Sequence, residues 1–244
     1  ALDSRLPPVL AARGVHQLYT HQREAFDRVA EGRDICVVTP PASGKTMCYN
    51  LPVLSAILQN DDARALYLFP TKALSADQVS ELYELIEAMG VDIKTYTYDG
   101  DTPGAARKAV RQAGHIVVTN PDMLHSGILP HHTKWVKLFE NLQYVVIDEI
   151  HAYRGVFGSN LANVIRRLTR LCKFYGSNPQ FICCSLPPLP AGGRRRVPVV
   201  CKGFNVNVHR FDQLVQLGNL ICRQRLCRKE IQRPRVAVFQ NGVQ

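Results

Sequence analysis

The chain has 244 residues, of which 46% are hydrophobic and 20% charged, which excludes a disordered polymer and fits one large globular domain with room for an appendage. No apolar run approaches the ~20 residues of a membrane span and the N-terminus lacks a secretory-signal pattern, so a cytoplasmic protein with no membrane partner is expected. The net charge of +10 is unevenly spread: eleven of the thirty basic but two of the twenty acidic residues lie in 186–244, a net of +9 against +1 for 1–185.

Strand-like apolar runs recur at 35–39, 65–69, 93–98, 115–119, 143–148 and 180–184. Helix-period segments lie at about 21–31, 45–59, 72–89, 103–113, 132–141 and 158–174. The alternation predicts an α/β fold, a mostly parallel sheet with helices on both faces. The first run, Ile35-Cys36-Val37-Val38, leads into Thr39-Pro40-Pro41-Ala42-Ser43-Gly44-Lys45-Thr46 and then a helix-forming stretch. Such a strand–loop–helix turn points N–H groups at phosphate oxygens, and the positive end of the helix dipole adds to the attraction. Ala42, Ser43 and Gly44 supply such donors, Lys45 brings charge to the outer phosphates, and the Thr46 hydroxyl suits magnesium. Thr39 stands where the general phosphate-loop pattern has glycine, and Pro41 has no N–H to give. Pro52 is expected to kink or end the helix that follows.

Pro70-Thr71-Lys72 follows the second run, Asp99-Gly100-Asp101 the third, and Thr119-Asn120-Pro121 the fourth. Gly90 reads as a helix stop, and Asn120-Pro121-Asp122 as a turn and cap leading into a short helix. Thr71, Lys72, Thr119 and Asn120 serve either as ordinary caps and turns or as a sequence-blind grip on sugar-phosphate. The fifth run, Tyr144-Val145-Val146-Ile147, ends in Asp148-Glu149-Ile150-His151. Asp148 is placed to hold a magnesium ion's water shell, and Glu149 to orient or deprotonate an attacking water. His151 either links this site to a nucleic-acid face or bonds within the core, while Arg154, Arg166 and Arg167 read as solvated charges. In a parallel sheet ligands bind beyond the carboxyl ends of the strands, where all five polar clusters fall. The eight cysteines show no paired C-x-x-C spacing and read as reduced core thiols rather than a metal group built on Cys201, Cys222 and Cys227.

With these motifs in order, residues 10–185 resemble the first RecA-like domain of a superfamily 2 helicase of the DEAD/DEAH-box type. Tyr19-Thr20-His21-Gln22 resembles the adenine-reading Q motif, which implies that Gln22 pairs with the base edge while a nearby aromatic, Tyr19, stacks on it. The loop at 39–46 resembles motif I, Phe69–Leu74 motif Ia, Val118–Leu124 motif Ib and Asp148–His151 motif II. The stretches 98–103 and 151–182 carry a narrower resemblance to MrfA-like (YprA-type) DNA-repair helicases and their fungal RecQ-related cousins. The resemblance implies a RecA-like P-loop NTPase domain at 1–185 that uses ATP and magnesium, catalysis by Lys45, Asp148, Glu149 and His151, and 3′-to-5′ movement. It also implies contact of Pro70, Thr71, Lys72, Thr119, Asn120 and Pro121 with single-stranded or partly duplex DNA, in preference to RNA.

The resemblance stops at Ser185-Leu186-Pro187-Pro188, where the family has Ser-Ala-Thr. A second RecA-like domain, with its arginine finger, is absent from the sequence, so weak hydrolysis and no unwinding by the chain alone are expected. Residues 186–244 read either as a basic nucleic-acid-binding arm or, in preference, as a truncated or out-of-frame continuation. A catalytically weak, ATP-responsive nucleic-acid-binding module is the alternative function. A small-molecule kinase is disfavoured because Glu149 sets a water-activating carboxylate beside the metal ligand.

Overall fold

In a computed structural model the described residues are 2–153 and 156–186, with the backbone alone at 199–201 and 236–237. Six strands, β1 (Ile35–Val38), β2 (Arg64–Leu68), β3 (Thr95–Thr97), β4 (Ile116–Thr119), β5 (Leu142–Ile147) and β6 (Gln180–Ser185), pair in parallel in the order β3-β4-β2-β5-β6-β1. The backbone at 199–201 runs antiparallel to β1, and 236–237 pairs in parallel with 200–201. Arg154, Cys222, Cys227 and most of the basic tail lie outside the described residues.

Strands β1, β2 and β4 are buried on both faces, and the alternation along the sheet divides the core into two layers. Val37, Ala65, Tyr67, Val118, Val146 and Ile182 pack with helices α1 (Leu6–Ala12), α2 (Thr20–Ala30), α3 (Lys45–Gln59) and α4 (Lys72–Met89). Val38, Leu66, Leu68, Val117, Val145, Ile147 and Phe181 face the other way, toward α5 (Gly104–Ala113), the short turn α6 (Pro121–Met123), α7 (Val136–Asn141) and α8 (Val156–Phe174). Trp135 and Phe139 are fully buried in that second layer, where Trp135 meets Tyr98 edge to face at 4.8 Å.

Three expectations change. Helix α3 does not end at Pro52: it runs unbroken to Gln59, because the ring sits in a buried middle turn where packing holds the helix across one missing N–H. Helix α1, with prolines in its first turn where no N–H is needed, has no counterpart in the sequence reading. The segment before α7 is irregular, a π-type turn at Leu124–Ile128 and a tight 3₁₀ stretch at Leu129–Lys134 replacing one regular helix from 132. Other signals hold: Gly90 adopts a left-handed φ of 65° after α4, and the Asn120 side chain caps α6 by accepting the Met123 N–H at 2.7 Å. Among the described residues no helix is long and apolar enough to cross a membrane.

Candidate functional site

Because all six strands run the same way, the loops after their carboxyl ends gather on one edge. There β6 lies between β1 and β5. The phosphate-type loop after β1 and the acidic pair after β5 therefore face each other across Ser185 and Leu186, a placement the chain order does not reveal. Thr39 extends the β1–β6 pairing, donating its N–H to Ser185 O at 3.2 Å, so it behaves as a strand residue and not as the first residue of the turn.

The loop closes on α2. Ala42 and Gly44 both have left-handed backbones, with φ of 55° and 74°. Gly44 has a second constraint: a Cβ there would meet Gln22 Nε2 at 2.5 Å. Gln22 Nε2 donates to Gly44 O at 3.0 Å, and Gln22 Oε1 accepts the Tyr19 N–H at 3.0 Å, capping α2. His21 adds a contact between Nε2 and Ser43 O at 3.0 Å. Gln22 is buried and Tyr19 exposed, its ring stacked on His21. Among the described residues the Ser43 and Thr39 hydroxyls are buried without a hydrogen-bond partner, as fits a cradle for polar ligand oxygens.

Lys45 Nζ and Glu149 Oε1 form an ion pair at 2.9 Å, both groups largely buried. Asp148 is buried beside them and takes the Glu149 N–H on Oδ1 at 2.7 Å. Burial pushes the Asp148 carboxyl up, and the charge of Glu149 pushes it further, against the pull of Lys45. Glu149 holds a left-handed φ of 51°, backbone strain of the kind that collects at functional sites. Its Oε2 lies 3.1 Å from His151 Nδ1 without a hydrogen bond to it, because that nitrogen accepts the Leu186 N–H at 3.2 Å. His151 thus stands between the acidic pair and the end of β6, bonded to the latter. The Thr46 hydroxyl donates to Gln78 Oε1 at 2.6 Å, and Tyr49 OH lies 3.2 Å from Asp148 Oδ2. The donor set of one hydroxyl, two carboxylates and one lysine fits a magnesium-bound phosphate group, for which oxygen ligands are preferred.

The second cluster is built differently from its sequence reading. Thr71 caps α4, its hydroxyl accepting from Leu74 N at 3.4 Å. Exposed Lys72 is paired with Asp99 at 3.2 Å and with Asp101. The Thr119 hydroxyl is buried and donates to Tyr98 O at 2.7 Å, tying β4 to the edge beyond β3. Asn120 caps α6, and Pro70 and Pro121 are half-buried beside these groups. His21, Tyr49 and Gln78 were missed as site residues; the spacing of Tyr49 three residues beyond Thr46 on one helix is the signal for one of them.

The DEAD/DEAH box helicase profile matches residues 19–185. The chain is 66% identical over 185 residues to the ATP-dependent helicase YprA of Bacillus subtilis, covering 76% of this chain and 25% of that protein. It is 37% identical over 177 residues to the ATP-dependent helicase hrq1 of Schizosaccharomyces pombe, covering 71% of this chain and 17% of that one. A crystal structure of the DUF1998 helicase MrfA bound to DNA superposes with a TM-score of 0.75 at 66% identity, over 77% of this chain and 25% of that chain. These relatives are about four times as long or longer than the part of them that the chain spans. A phosphate-type loop facing a strand-end Asp-Glu pair on this sheet, together with matches of this extent, makes the chain a member of the DEAD/DEAH-box helicases, of their MrfA-like kind.

Proposed function

We propose that the chain is the ATP-binding motor domain of an ATP-dependent DNA helicase that acts in repair with 3′-to-5′ polarity. The observation that carries this reading is the convergence of Lys45, Thr46, Asp148 and Glu149 at one strand edge, with Lys45 and Glu149 already 2.9 Å apart. Backbone N–H groups from Ala42 to Thr46 receive the ATP phosphates, and Lys45 exchanges its Glu149 partner for a phosphate oxygen. That exchange frees Glu149 to take a proton from the attacking water at a carboxylate oxygen, Oε2 being buried without a hydrogen-bond partner beside His151. Thr46 and Asp148 are the residues that hold magnesium. The ion, when bound, neutralises charge on the phosphate oxygens. Tyr19 and Gln22 flank the place of the base.

DNA phosphates are met by the loops Pro70-Thr71-Lys72 and Thr119-Asn120-Pro121, mainly through backbone groups and the exposed Thr71 and Lys72 side chains, which carry no base readout. A second RecA-like domain supplies the rest of the track and the arginine finger. The setting is the cytoplasm.

ATP with magnesium is expected to raise the melting temperature, because a ligand of the folded state stabilises it by mass action. Lys45→Ala should remove most of that shift, whereas Glu149→Gln should keep it and lose residual hydrolysis. An unchanged shift in Lys45→Ala would sink the phosphate-loop assignment.

A further inference from the structure

The two side chains suited to hold magnesium are joined by a polar pair from two helices. The Thr46 hydroxyl donates to Gln78 Oε1 at 2.6 Å, and Tyr49 OH lies 2.9 Å from the same oxygen and 3.2 Å from Asp148 Oδ2. A hydroxyl binds a cation through its lone pair, so its proton has to be directed elsewhere. Gln78 Oε1 is a fixed acceptor for the Thr46 proton. Asp148 takes the Glu149 N–H on Oδ1; with Gln78 Oε1 taken by Thr46, the one Tyr49 proton is left for Oδ2, and each carboxylate oxygen keeps a lone pair. Tyr49 is fully buried and packs edge to face on Tyr67 at 5.4 Å, which fixes its ring. Gln78 lies on α4, the helix whose N-cap is Thr71, so the metal ligands are tied to the element that begins at the proposed DNA loop.

We infer that Tyr49 and Gln78 are positioning residues for magnesium, presetting Thr46 Oγ1 and the Asp148 carboxylate before the ion arrives. The inference rests on the ATP–magnesium reading. It is tested on the full chain by titrating Mg²⁺ against a fixed fluorescent ATP analogue and by repeating the binding in EDTA. Tyr49→Phe and Gln78→Met should each raise the half-saturating magnesium concentration by about tenfold, the usual scale for partners that orient metal ligands. Binding in EDTA should match the parent. Tyr49→Phe keeps the ring volume, so it decides the matter alone should Gln78→Met fail to fold. Half-saturation equal to the parent's overturns the inference, as does an equal loss with and without magnesium, the mark of a merely structural effect. Parent-like analogue binding by Lys45→Ala in EDTA would instead overturn the phosphate-loop reading, and this inference with it.

Discussion

The Gln22 amide engages both its groups within the chain, taking the Tyr19 N–H and donating to Gly44 O, each at 3.0 Å. A helical glutamine is ordinarily solvated, yet this one is buried and ties α2 to the phosphate-type loop. Replacing it with alanine strips partners from two backbone groups, at a cost of about 1–3 kcal/mol. Gln22→Ala should therefore lower the melting temperature without nucleotide. It should also weaken ATP more than GTP, because the amide matches the donor and acceptor on the adenine edge and not the guanine edge. Equal weakening of both nucleotides in a binding assay would leave Gln22 the structural role alone. Thr119 shows the same economy in the other direction. Its hydroxyl, a candidate for DNA, is turned inward to Tyr98 O, so in the proposed contact with DNA its loop would offer backbone groups rather than that side chain.

At the scale of elements, the loop after β1 stores strain at a residue that need not bear it. Ala42 holds φ at 55°, a left-handed conformation that costs a residue with a Cβ about 1–2 kcal/mol. Ala42→Gly should raise stability by about 1 kcal/mol, or a melting-temperature gain of roughly 2–4 °C in a fold of this size. A fall in melting temperature would show that the turn is not strained. Glu149 carries similar strain at φ 51°, but its side chain is paired with Lys45 beside His151, so the conformation there belongs to the proposed site. His21 links α2 to the same loop. Burial holds its imidazole below the ordinary value of 6.5, against the contrary pull of the Ser43 carbonyl. A histidine with a depressed folded-state pKa contributes stability above the unfolded value, and that contribution is lost as pH falls through the folded value. Melting temperature should therefore drop on acidification below about pH 6.5, and less steeply in His21→Gln. Parallel pH profiles for the two chains would remove His21 from the account.

For the whole molecule the question is where affinity for DNA resides. Residues 1–185 carry a net charge of +1 and residues 186–244 a net of +9. Within the α/β domain Lys72 is held by Asp99 and Asp101, which lowers the positive field at the proposed DNA loop. Binding by the intact chain is thus expected to be dominated by the basic segment, steeply salt-dependent and without sequence preference. Deleting 186–244 should collapse single-stranded DNA affinity in a fluorescence-anisotropy titration, leaving a weak remainder from the strand-end loops. Full affinity after deletion, with the fold verified by circular dichroism, would assign binding to those loops instead.

The six strands, most of their helices, the Gly90 stop, the Asn120 cap and the strand-end places of the 39–46 loop and of Asp148-Glu149 were legible in the sequence. Each rests on a local rule: apolar periodicity, a left-handed position that glycine suits, or a side chain reaching the next turn. Helix α1 went unread although its prolines stand in the first turn, where they suit a helix start, and the unbroken course of α3 past Pro52 was not legible because tertiary packing overrides the local signal of proline. Strand order was not legible either, and it decides the chemistry. With β6 inserted between β1 and β5, Lys45 meets Glu149 and His151 meets Leu186 across gaps of 104 and 35 residues. Sequence by itself determined which residue types stand at the carboxyl ends of the strands. Only the tertiary structure decided which of them touch, which turn inward as Thr119 does, and that Tyr49 and Gln78 join Thr46 and Asp148, since burial and strand order are properties of the packed sheet and not of any one segment.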